Sequence, residues 1–275
     1  MAHGETQHPM VARRSDALTG TIRVPGDKSI SHRSLIFGTL AVGRTEVEGL
    51  LEAEDVLNTM AAMRALGATI THHAGPGGRV SIDGVGVGAL SEPDRVLDMG
   101  NSGTAARLLV GLVATHPITT FFTGDASLVK RPMARVTDPL SRMGASFHSR
   151  RGELGTGRLP MMVEGAELAV PIEYRLPVAS AQVKSAIMLA GLNTPGETTV
   201  IEAVPTRDHT ENMLRHFGAA PTITTDSDGA TRITVTGQQE LVAADIKVPT
   251  DPSSAAFPIV AALIRPGSDV TIEAV

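Results

Sequence analysis

Apolar and polar residues follow a unit that recurs about every 75 residues along this chain, which is the self-similarity of an internal repeat. Four similar segments begin the units, and each is typical of a strand end, a polar turn and the first turn of a helix. The segments are Val24–Leu35, Leu97–Leu108, Leu176–Ile187 and Val248–Ile259. The pattern predicts three complete units, over residues 20 to 87, 96 to 166 and 171 to 242, and the start of a fourth.

Each segment is followed by a predicted apolar helix and then a short strand rich in β-branched residues. These strands are expected at Thr45–Gly49, Ile118–Phe122, Glu197–Ile201 and Asp269–Glu273. A second helix follows in the first three units, because apolar residues recur at the spacing of one helical face, as in Val56, Met60 and Met63. The predicted order within a unit is therefore strand, helix, strand, helix, strand, strand.

Glycines predict where the second helices end. Gly67, Gly144 and Gly218 each follow the last apolar position of a helix, and glycine suits the left-handed conformation found just past a helix end. Each unit then closes with a predicted β-hairpin. The hairpin turns are expected near Pro76–Gly78, Arg151–Gly152 and Asp228–Gly229.

The fourth unit stops early. Val275 falls at the end of its second predicted strand, so the apolar side chains of Phe257, Ile259 and Val260 are expected to lack a packing partner within this chain. We interpret this pattern as a truncated or split protein.

Composition narrows the possible functions. With 275 residues, 42% of them hydrophobic, the chain can bury a substantial core. Its formal charge of −5 argues against broad binding of nucleic acid or anionic membranes. The absence of cysteine excludes disulfides and thiolate chemistry, and the nine histidines form no metal-ligand pattern. Without a secretory signal or a long apolar stretch, a cytoplasmic location is expected.

The repeated turns are candidates for anion binding. A helix N-terminus offers unpaired N–H groups and the positive end of the helix dipole, so several converging turns would suit phosphates or carboxylates. The alternative is that the serines in these turns serve only as helix caps. They are Ser29, Ser102, Ser180 and Ser253.

Basic residues near two of the turns favour the anion hypothesis. Lys28 and Arg33 belong to the first turn and its helix, and Arg131 comes just before a helix of the second unit. A cation is unfavourable near a helix N-terminus, because that end of the helix dipole is positive. We therefore interpret Lys28 and Arg131 as charges that an external anion offsets, with solvated surface charge as the alternative. Arg107 lies further into its helix and has a weaker claim. Asp208 and His209 could indicate an acid/base pair, but a local helix-start contact is the favoured interpretation.

Five motifs are specific enough to indicate a family. The most specific is Pro25–Arg33, which reads Pro-Gly-Asp-Lys-Ser-Ile-Ser-His-Arg. The others are Asn101–Thr104, Gly124–Met133, Leu176–Lys184 and Thr206–Thr210. Through these motifs the chain after residue 15 resembles the N-terminal portion of the class II bacterial 5-enolpyruvylshikimate-3-phosphate synthases.

The resemblance implies an α/β fold, namely an inverse α/β barrel-like domain of repeated βαβαββ units, with the second domain incomplete. It also implies domain boundaries. Residues 1–15 would be a flexible tail, and residues 16–27 a first strand and crossover belonging with the other domain. Residues 28–247 would form the complete three-unit domain, and residues 248–275 would begin the other, truncated domain.

Members of this family transfer the enolpyruvyl group of phosphoenolpyruvate to the 5-hydroxyl of shikimate 3-phosphate, without a metal or other cofactor. The implied partners are these two substrates and a complementary C-terminal half, with no nucleic acid and no membrane. Acids and bases are expected from that half, so the isolated chain is predicted to be inactive.

The resemblance also implies the site residues. Lys28 is expected to contact both substrates and is the catalytic candidate, and Gly103 and Arg131 are expected to face phosphoenolpyruvate. The inhibitor glyphosate is expected to occupy the phosphoenolpyruvate site and to lie against Gly103, so the complete enzyme is expected to be sensitive to it. The full substrate-binding set is Lys28, Ser29, Arg33, Asn101, Gly103, Arg131, Ser180, Ala181, Gln182 and Arg207.

Two alternatives stay open. A related enolpyruvyl transferase acts on a UDP-amino sugar, but it usually relies on a cysteine that this chain lacks. The second is a non-catalytic fragment or subunit that binds only anions and a complementary chain.

Overall fold

The computed structural model of this chain describes residues 13–75, 77–151 and 157–275. It divides into two compact bodies. The larger body is Gly26–Val248, and the smaller body combines the chain up to Pro25 with Pro249–Val275. The first twelve residues of the predicted tail, and the predicted turn residues Pro76 and Gly152, lie outside the described residues.

The helices and strands follow the predicted order. After β1 (Thr19–Ile22), the first repeat unit holds α1 (Lys28–Leu40), β2 (Ala41–Val42), β3 (Arg44–Glu48), α2 (Glu54–Ala65), β4 (Thr69–His73) and β5 (Arg79–Asp83). The second holds β6 (Leu97–Asp98), α3 (Gly103–Val113), β7 (Thr119–Thr123), α4 (Ala134–Arg142), β8 (Ser146–Arg151) and β9 (Gly157–Glu164). The third holds β10 (Glu173–Arg175), α5 (Ala181–Leu192), β11 (Glu197–Glu202), α6 (His209–His216), β12 (Thr222–Thr225) and β13 (Thr231–Thr236). The last elements are β14 (Leu241–Val242), β15 (Ile246–Lys247), α7 (Pro252–Leu263) and β16 (Asp269–Ile272).

Three four-stranded sheets repeat the same topology, with one parallel edge strand and an antiparallel hairpin. Their strand orders are β15-β3-β5-β4, β6-β7-β9-β8 and β10-β11-β13-β12. The repeat pattern alone counted the first strand with the first unit, but β1 does not join this sheet and pairs with β16 in the smaller body. β15 takes the open edge of β3 instead, with Ile246 opposite Val47, and so satisfies backbone groups that would otherwise be unpaired.

The first helix of each repeat unit is buried on nearly all sides. In α1 every residue from Ser31 to Leu40 is buried, and in α5 every residue from Val183 to Leu192. Because α1, α3 and α5 are each buried on nearly all sides, they are called the inner helices. A Cβ on Gly111 of α3 would lie 2.6 Å from the Cα of Ala186 in α5, so glycine is needed for this close packing. Within the described residues, no helix is long and apolar enough to cross a membrane.

The chain that leaves each hairpin crosses the C-terminal end of the inner helix of its own unit. At the crossing points, added Cβ atoms would overlap with helix-end carbonyl oxygens; the positions are Gly84, Gly165 and Gly237. The next residue donates its N–H to the helix end. The three bonds are Val85 N to Thr39 O at 2.8 Å, Ala166 N to Ala114 O at 2.9 Å and Gln238 N to Leu192 O at 2.7 Å. These contacts satisfy carbonyl groups that the end of a helix leaves unpaired.

The predicted glycine stops are confirmed. Gly67, Gly144 and Gly218 have φ angles of 114°, 108° and 90°. At the end of α6, Gly218 donates its N–H to Arg215 and Ala219 donates to Leu214, at 3.2 and 2.8 Å. This pair of bonds is the Schellman motif, and the other two helices end with the same pair.

In the smaller body, β1 and β16 form a parallel pair with Thr19 opposite Asp269. Asp251 caps α7, because its carboxylate accepts the N–H of Ser253 at 2.8 Å. The apolar side chains predicted to lack a partner are exposed, and Phe257 is 80% exposed.

We expect Gly218→Ala to destabilise the protein by about 1 kcal/mol, because an L-residue with a Cβ is strained at positive φ. No heavy atom lies within 4 Å of the added Cβ, so the loss reports backbone strain alone. Gly218→Asn is the control, since asparagine tolerates this conformation better than alanine. Urea denaturation measures both variants, and equal stabilities for wild type and Gly218→Ala would contradict the strain argument.

Candidate active site

The first turn places Lys28 at the first position of α1. Its Nζ lies 2.9 Å from Oδ2 of Asp55 in α2, and its side chain remains 49% exposed. Asp27, not Ser29, caps this helix, because its carboxylate accepts the N–H of Ile30 at 2.8 Å. Lys28 therefore has one carboxylate partner and an ammonium group that is still accessible to a ligand.

Arg33 is almost entirely buried on the next turn of α1, at 3% exposure. Its Nε donates to Thr210 Oγ1 at 2.8 Å, its Nη2 to Ser185 Oγ at 2.7 Å and its Nη1 to the Ser29 carbonyl at 3.0 Å. Burial lowers the pKa of the guanidinium to about 10, so it remains charged at neutral pH. Because three of its five N–H groups are used, Arg33 joins α1 to α5 and α6 and keeps two donors.

The second turn connects Asn101 with Arg131. The Asn101 side-chain amide donates to Asp125 Oδ2 at 2.7 Å, and its Oδ1 accepts from Arg131 Nη2 at 3.1 Å. Ser102 caps α3 by accepting the N–H of Ala105 at 3.1 Å, which confirms the cap interpretation for this serine. The turn thus fixes both Asn101 and the guanidinium of Arg131.

Two guanidinium groups lie close to the first residue of α3. A Cβ added to Gly103 would lie 2.8 Å from Nη1 of Arg107 and 2.9 Å from Nη1 of Arg131. The pKa of Arg107 is lowered by burial and then by the nearby cations of Arg131 and Arg135. Like charges at this separation repel each other, so an anion bound beside Gly103 would relieve the repulsion. Arg107 is therefore a stronger candidate than its sequence position indicated.

The third turn joins α5 to α3. Ser180 caps α5, with the N–H of Val183 donating to its Oγ at 3.4 Å. Gln182 Oε1 accepts from Arg107 Nη1 and its Nε2 donates to Thr104 Oγ1, both at 2.9 Å. Gln182 is thus held on both sides by the first two turns of α3.

His32 joins α1 to α3, a role that the sequence did not indicate. Its Nδ1 lies 2.8 Å from Thr59 Oγ1 and its Nε2 lies 3.3 Å from Ser102 Oγ. Thr59 donates its own hydrogen to a backbone carbonyl, so its oxygen can accept from Nδ1–H, and a neutral ring then accepts from Ser102 at Nε2. The pKa of His32 is lowered to about 4, mainly by burial and further by the cations of Arg33 and Lys28.

Arg207 lies in the connection between β11 and α6, and its side chain is exposed. Its positive charge lowers the pKa of both Arg33 and His209, although burial is the larger cause in each case. The expected helix-start contact of Asp208 is wrong, because its side chain does not cap α6.

Sequence reasoning also missed a group of buried charges behind the site, which we call the buried charge cluster: Lys184, Glu202 and Glu211. The Nζ of Lys184 lies 3.0 Å from Glu202 Oε1 and 2.7 Å from Glu211 Oε1, and all three side chains are at most 4% exposed. Lysine and glutamate are usually surface residues, so composition alone gave no signal. The signal available was the position of Lys184 at the start of a helix whose remaining residues are mostly apolar.

The three inner-helix starts therefore come together in the larger body. His32 links α1 to α3, Gln182 links α5 to α3, and Arg33 links α1 to α5. The predicted site residues that lie at these helix starts are Lys28, Ser29, Arg33, Asn101, Gly103, Ser180, Ala181 and Gln182. Arg131 is bonded to this group through Asn101, and Arg207 acts on it electrostatically. The fourth turn, with Ser253, belongs to the smaller body.

Comparisons with known proteins agree with this arrangement. The family model described as EPSP synthase (3-phosphoshikimate 1-carboxyvinyltransferase) matches residues 12–275. A 3-phosphoshikimate 1-carboxyvinyltransferase from Rhodospirillum rubrum is 63% identical over 97% of this chain, and one from Novosphingobium aromaticivorans is 64% identical over 93%. This chain spans only 59% and 57% of the lengths of those relatives. A solved EPSP synthase structure from Acinetobacter baumannii, 48% identical, aligns with a TM-score of 0.83 over 95% of this chain and 57% of that chain.

Stability should fall as the pH drops from 6.5 towards 4, because unfolded His32 takes up a proton that the folded ring resists. The pKa of His32 is lower in the folded state than in the unfolded state, so its titration destabilises the fold only below about pH 6.5. The resulting loss of unfolding free energy reaches about 3 kcal/mol near pH 4. His32→Gln removes this titration while the carboxylates still titrate. The unfolding free energies of wild type and His32→Gln, measured across this pH range, should converge at low pH. Parallel curves would contradict the lowered pKa of His32 in the folded protein.

Proposed function

Because this chain belongs to the EPSP synthase family, we propose that it transfers the enolpyruvyl group of phosphoenolpyruvate to the 5-hydroxyl of shikimate 3-phosphate. The proposal concerns an enzyme in which this chain acts with a complementary C-terminal half that corresponds to the rest of its relatives' length. One observation supports it most strongly. Three helix N-termini meet beside Lys28, Arg107 and Arg131 in a protein whose overall charge is negative.

Anion chemistry connects this geometry to the substrates. Each helix N-terminus carries about half a positive charge and unpaired N–H groups, which favour phosphate and carboxylate oxygens. Both substrates are phosphorylated, and phosphoenolpyruvate also carries a carboxylate. A site for two such molecules needs a local excess of positive charge, and the converging turns supply it.

Shikimate 3-phosphate is proposed to bind at the starts of α1 and α5. Ser29 and Ser180 lie in these turns, and Arg33 holds the two helices together while keeping two unused N–H groups. Ala181 begins α5, and Arg207 adds an exposed positive charge beside the same group. A phosphate or hydroxyl group placed here would find both donors and charge.

Phosphoenolpyruvate is proposed to bind in front of Gly103. The guanidinium groups of Arg107 and Arg131 border this space, and Asn101 and Gln182 each hold one of them in place. An anion there would replace the repulsion between two cations with two charge-assisted hydrogen bonds. The same space is proposed to take glyphosate.

Lys28 is proposed to act at the reacting groups. In the reaction the 5-hydroxyl group loses its proton as its oxygen bonds to C2 of phosphoenolpyruvate, and the methylene carbon gains a proton. The tetrahedral intermediate then loses phosphate as the methyl group returns a proton. The ammonium of Lys28 would stabilise negative charge that develops on the substrates. The acids and bases that move these protons are proposed to come from the C-terminal half.

The two bodies of the fold support a domain proposal. We assign residues 28–247 to one complete domain, and residues 16–27 and 248–275 to a second, with residues 1–15 as a tail. A cytoplasmic location also stays a proposal from the sequence.

The decisive measurement is phosphate release in the presence of both substrates. We expect no release from the purified chain alone, and release when it is combined with the C-terminal remainder of the Rhodospirillum rubrum relative. Closure of two domains brings acids and bases to the substrates and excludes water, which half of a cleft cannot do. Turnover by the chain alone would contradict the shared site, and silence from a demonstrably assembled mixture would contradict the function.

In that assembled enzyme, Lys28→Ala and Arg131→Ala should each lower kcat/KM by about 10- to 100-fold, because a hydrogen bond to a charged group is worth about 1.5–3 kcal/mol. Lys130→Ala is the matched control, since it removes a neighbouring exposed cation that is outside the proposed site. Thermal unfolding should show all three variants folded. Wild-type kinetics in Lys28→Ala or Arg131→Ala would remove that residue from the site.

A further inference from the structure

The connection from β11 to α6 carries Arg207 and is exposed along residues 203–208, with one exception. Thr206, directly before Arg207, is partly buried. An exposed connection of this kind is ordinarily mobile, and an arginine on it would sample many positions. Something must therefore fix the backbone if Arg207 is to meet a ligand at a defined place.

Thr206 is bound to the buried charge cluster through its main chain and its side chain. Oε2 of Glu202 accepts the Thr206 N–H at 3.2 Å and its Oγ1–H at 2.7 Å. On the other side, Nζ of Lys184 donates to the Thr206 carbonyl at 3.5 Å. Buried charged groups thus hold both the N–H of Thr206 and its carbonyl group, which forms the peptide bond to Arg207.

The cluster itself has little freedom to move. Glu202 Oε1 is engaged by Lys184, which is also bonded to Glu211, and Lys184 is 1% exposed. Hydrogen bonds to ionised groups in a poorly hydrated interior are short and directional. A threonine attached to such a pair is held more firmly than one attached to a surface carboxylate.

The cluster is also connected to Arg33 through adjacent residues. Lys184 is followed by Ser185, and Glu211 follows Thr210, and these two hydroxyls bind the guanidinium of Arg33. The hydroxyls of Ser185 and Thr210 lie 2.7 Å apart. The contacts of Arg33 and the contact of Lys184 with Glu211 are therefore made by neighbouring residues of the same two helices, α5 and α6.

We propose that Thr206, Glu202 and Lys184 are positioning residues that hold Arg207 at the shikimate 3-phosphate site. The inference rests on the proposed function, because it assigns Arg207 a phosphorylated ligand. It adds that affinity for this substrate is set partly by residues that do not touch it. A purely structural role for the same bonds would lower stability without selecting one substrate.

Thr206→Val tests this role, because it removes the hydroxyl that donates to Glu202 while keeping the volume and leaving the buried charges in place. Thr206→Ser is the matched control, since it keeps the hydroxyl. In the assembled enzyme, we expect Thr206→Val to raise the KM for shikimate 3-phosphate about tenfold, consistent with losing a hydrogen bond to a charged group. The KM for phosphoenolpyruvate and kcat should change less than about twofold, and Thr206→Ser should stay close to wild type.

A double-mutant cycle with Arg207→Ala separates positioning from a direct role. If Thr206 acts through Arg207, Thr206→Val should add less than about a twofold change in KM when Arg207 is already absent. A full additional tenfold rise there would overturn the inference, and so would an equal rise in KM for both substrates. An Arg207→Ala variant with unchanged affinity would instead overturn the assignment of Arg207 in the proposed function.

Amide hydrogen exchange in this chain alone tests the positioning without any assay of activity. We expect faster exchange over residues 203–208 in Thr206→Val than in wild type or Thr206→Ser, because local opening of the connection becomes easier. Amide exchange within α5 and α6 should be unchanged. Equal exchange over residues 203–208 in all three proteins would overturn the proposal even if the protein had another substrate.

Discussion

The association of the three inner helices, with α3 packed closely on α5 and α1 joined to both by side-chain hydrogen bonds, is the constraint on which the rest of this structure depends. Their C-terminal ends are closed by backbone N–H groups that follow Gly84, Gly165 and Gly237, at positions where a side chain would collide with the helix carbonyls. At the middle of the bundle, Gly111 lets α3 approach the backbone of α5. With one end of each helix capped by the chain itself and the helices in contact, their N-termini are brought together at the other end.

This convergence has an electrostatic cost that follows from the fold. Three positive helix ends lie together, and Arg107 and Arg131 add two more charges beside Gly103. Asp55 and Asp125 offset part of this charge through Lys28 and Asn101. An anionic ligand would offset the remaining positive charge, so relief of this repulsion would contribute to the free energy of binding. The empty site therefore lowers stability for the sake of function, a common conflict in proteins.

Local signals in the sequence predicted the order of the elements and the helix ends. Gly67, Gly144 and Gly218 were identifiable because a left-handed residue past a helix end depends mainly on its neighbours. The pairing of β15 with β3 was not predictable in this way, because it joins residues almost 200 positions apart and involves only two residues of each strand. The capping by Asp27 instead of Ser29 was missed for a smaller reason, because both residue types are good caps and lie two positions apart.

The polar groups of the site were harder to predict than its apolar frame, and the buried charges explain why. Replacing a buried ion pair with apolar residues often leaves stability unchanged or raises it, so Lys184 and its two glutamates are not required for a compact core. Apolar contacts, however, tolerate small shifts of one helix along another, whereas Arg33 must meet Thr210 and Ser185 at fixed angles. The polar contacts thus define the relative positions of the starts of α1, α5 and α6, and it is those positions, more than added stability, that a site for two phosphorylated molecules requires.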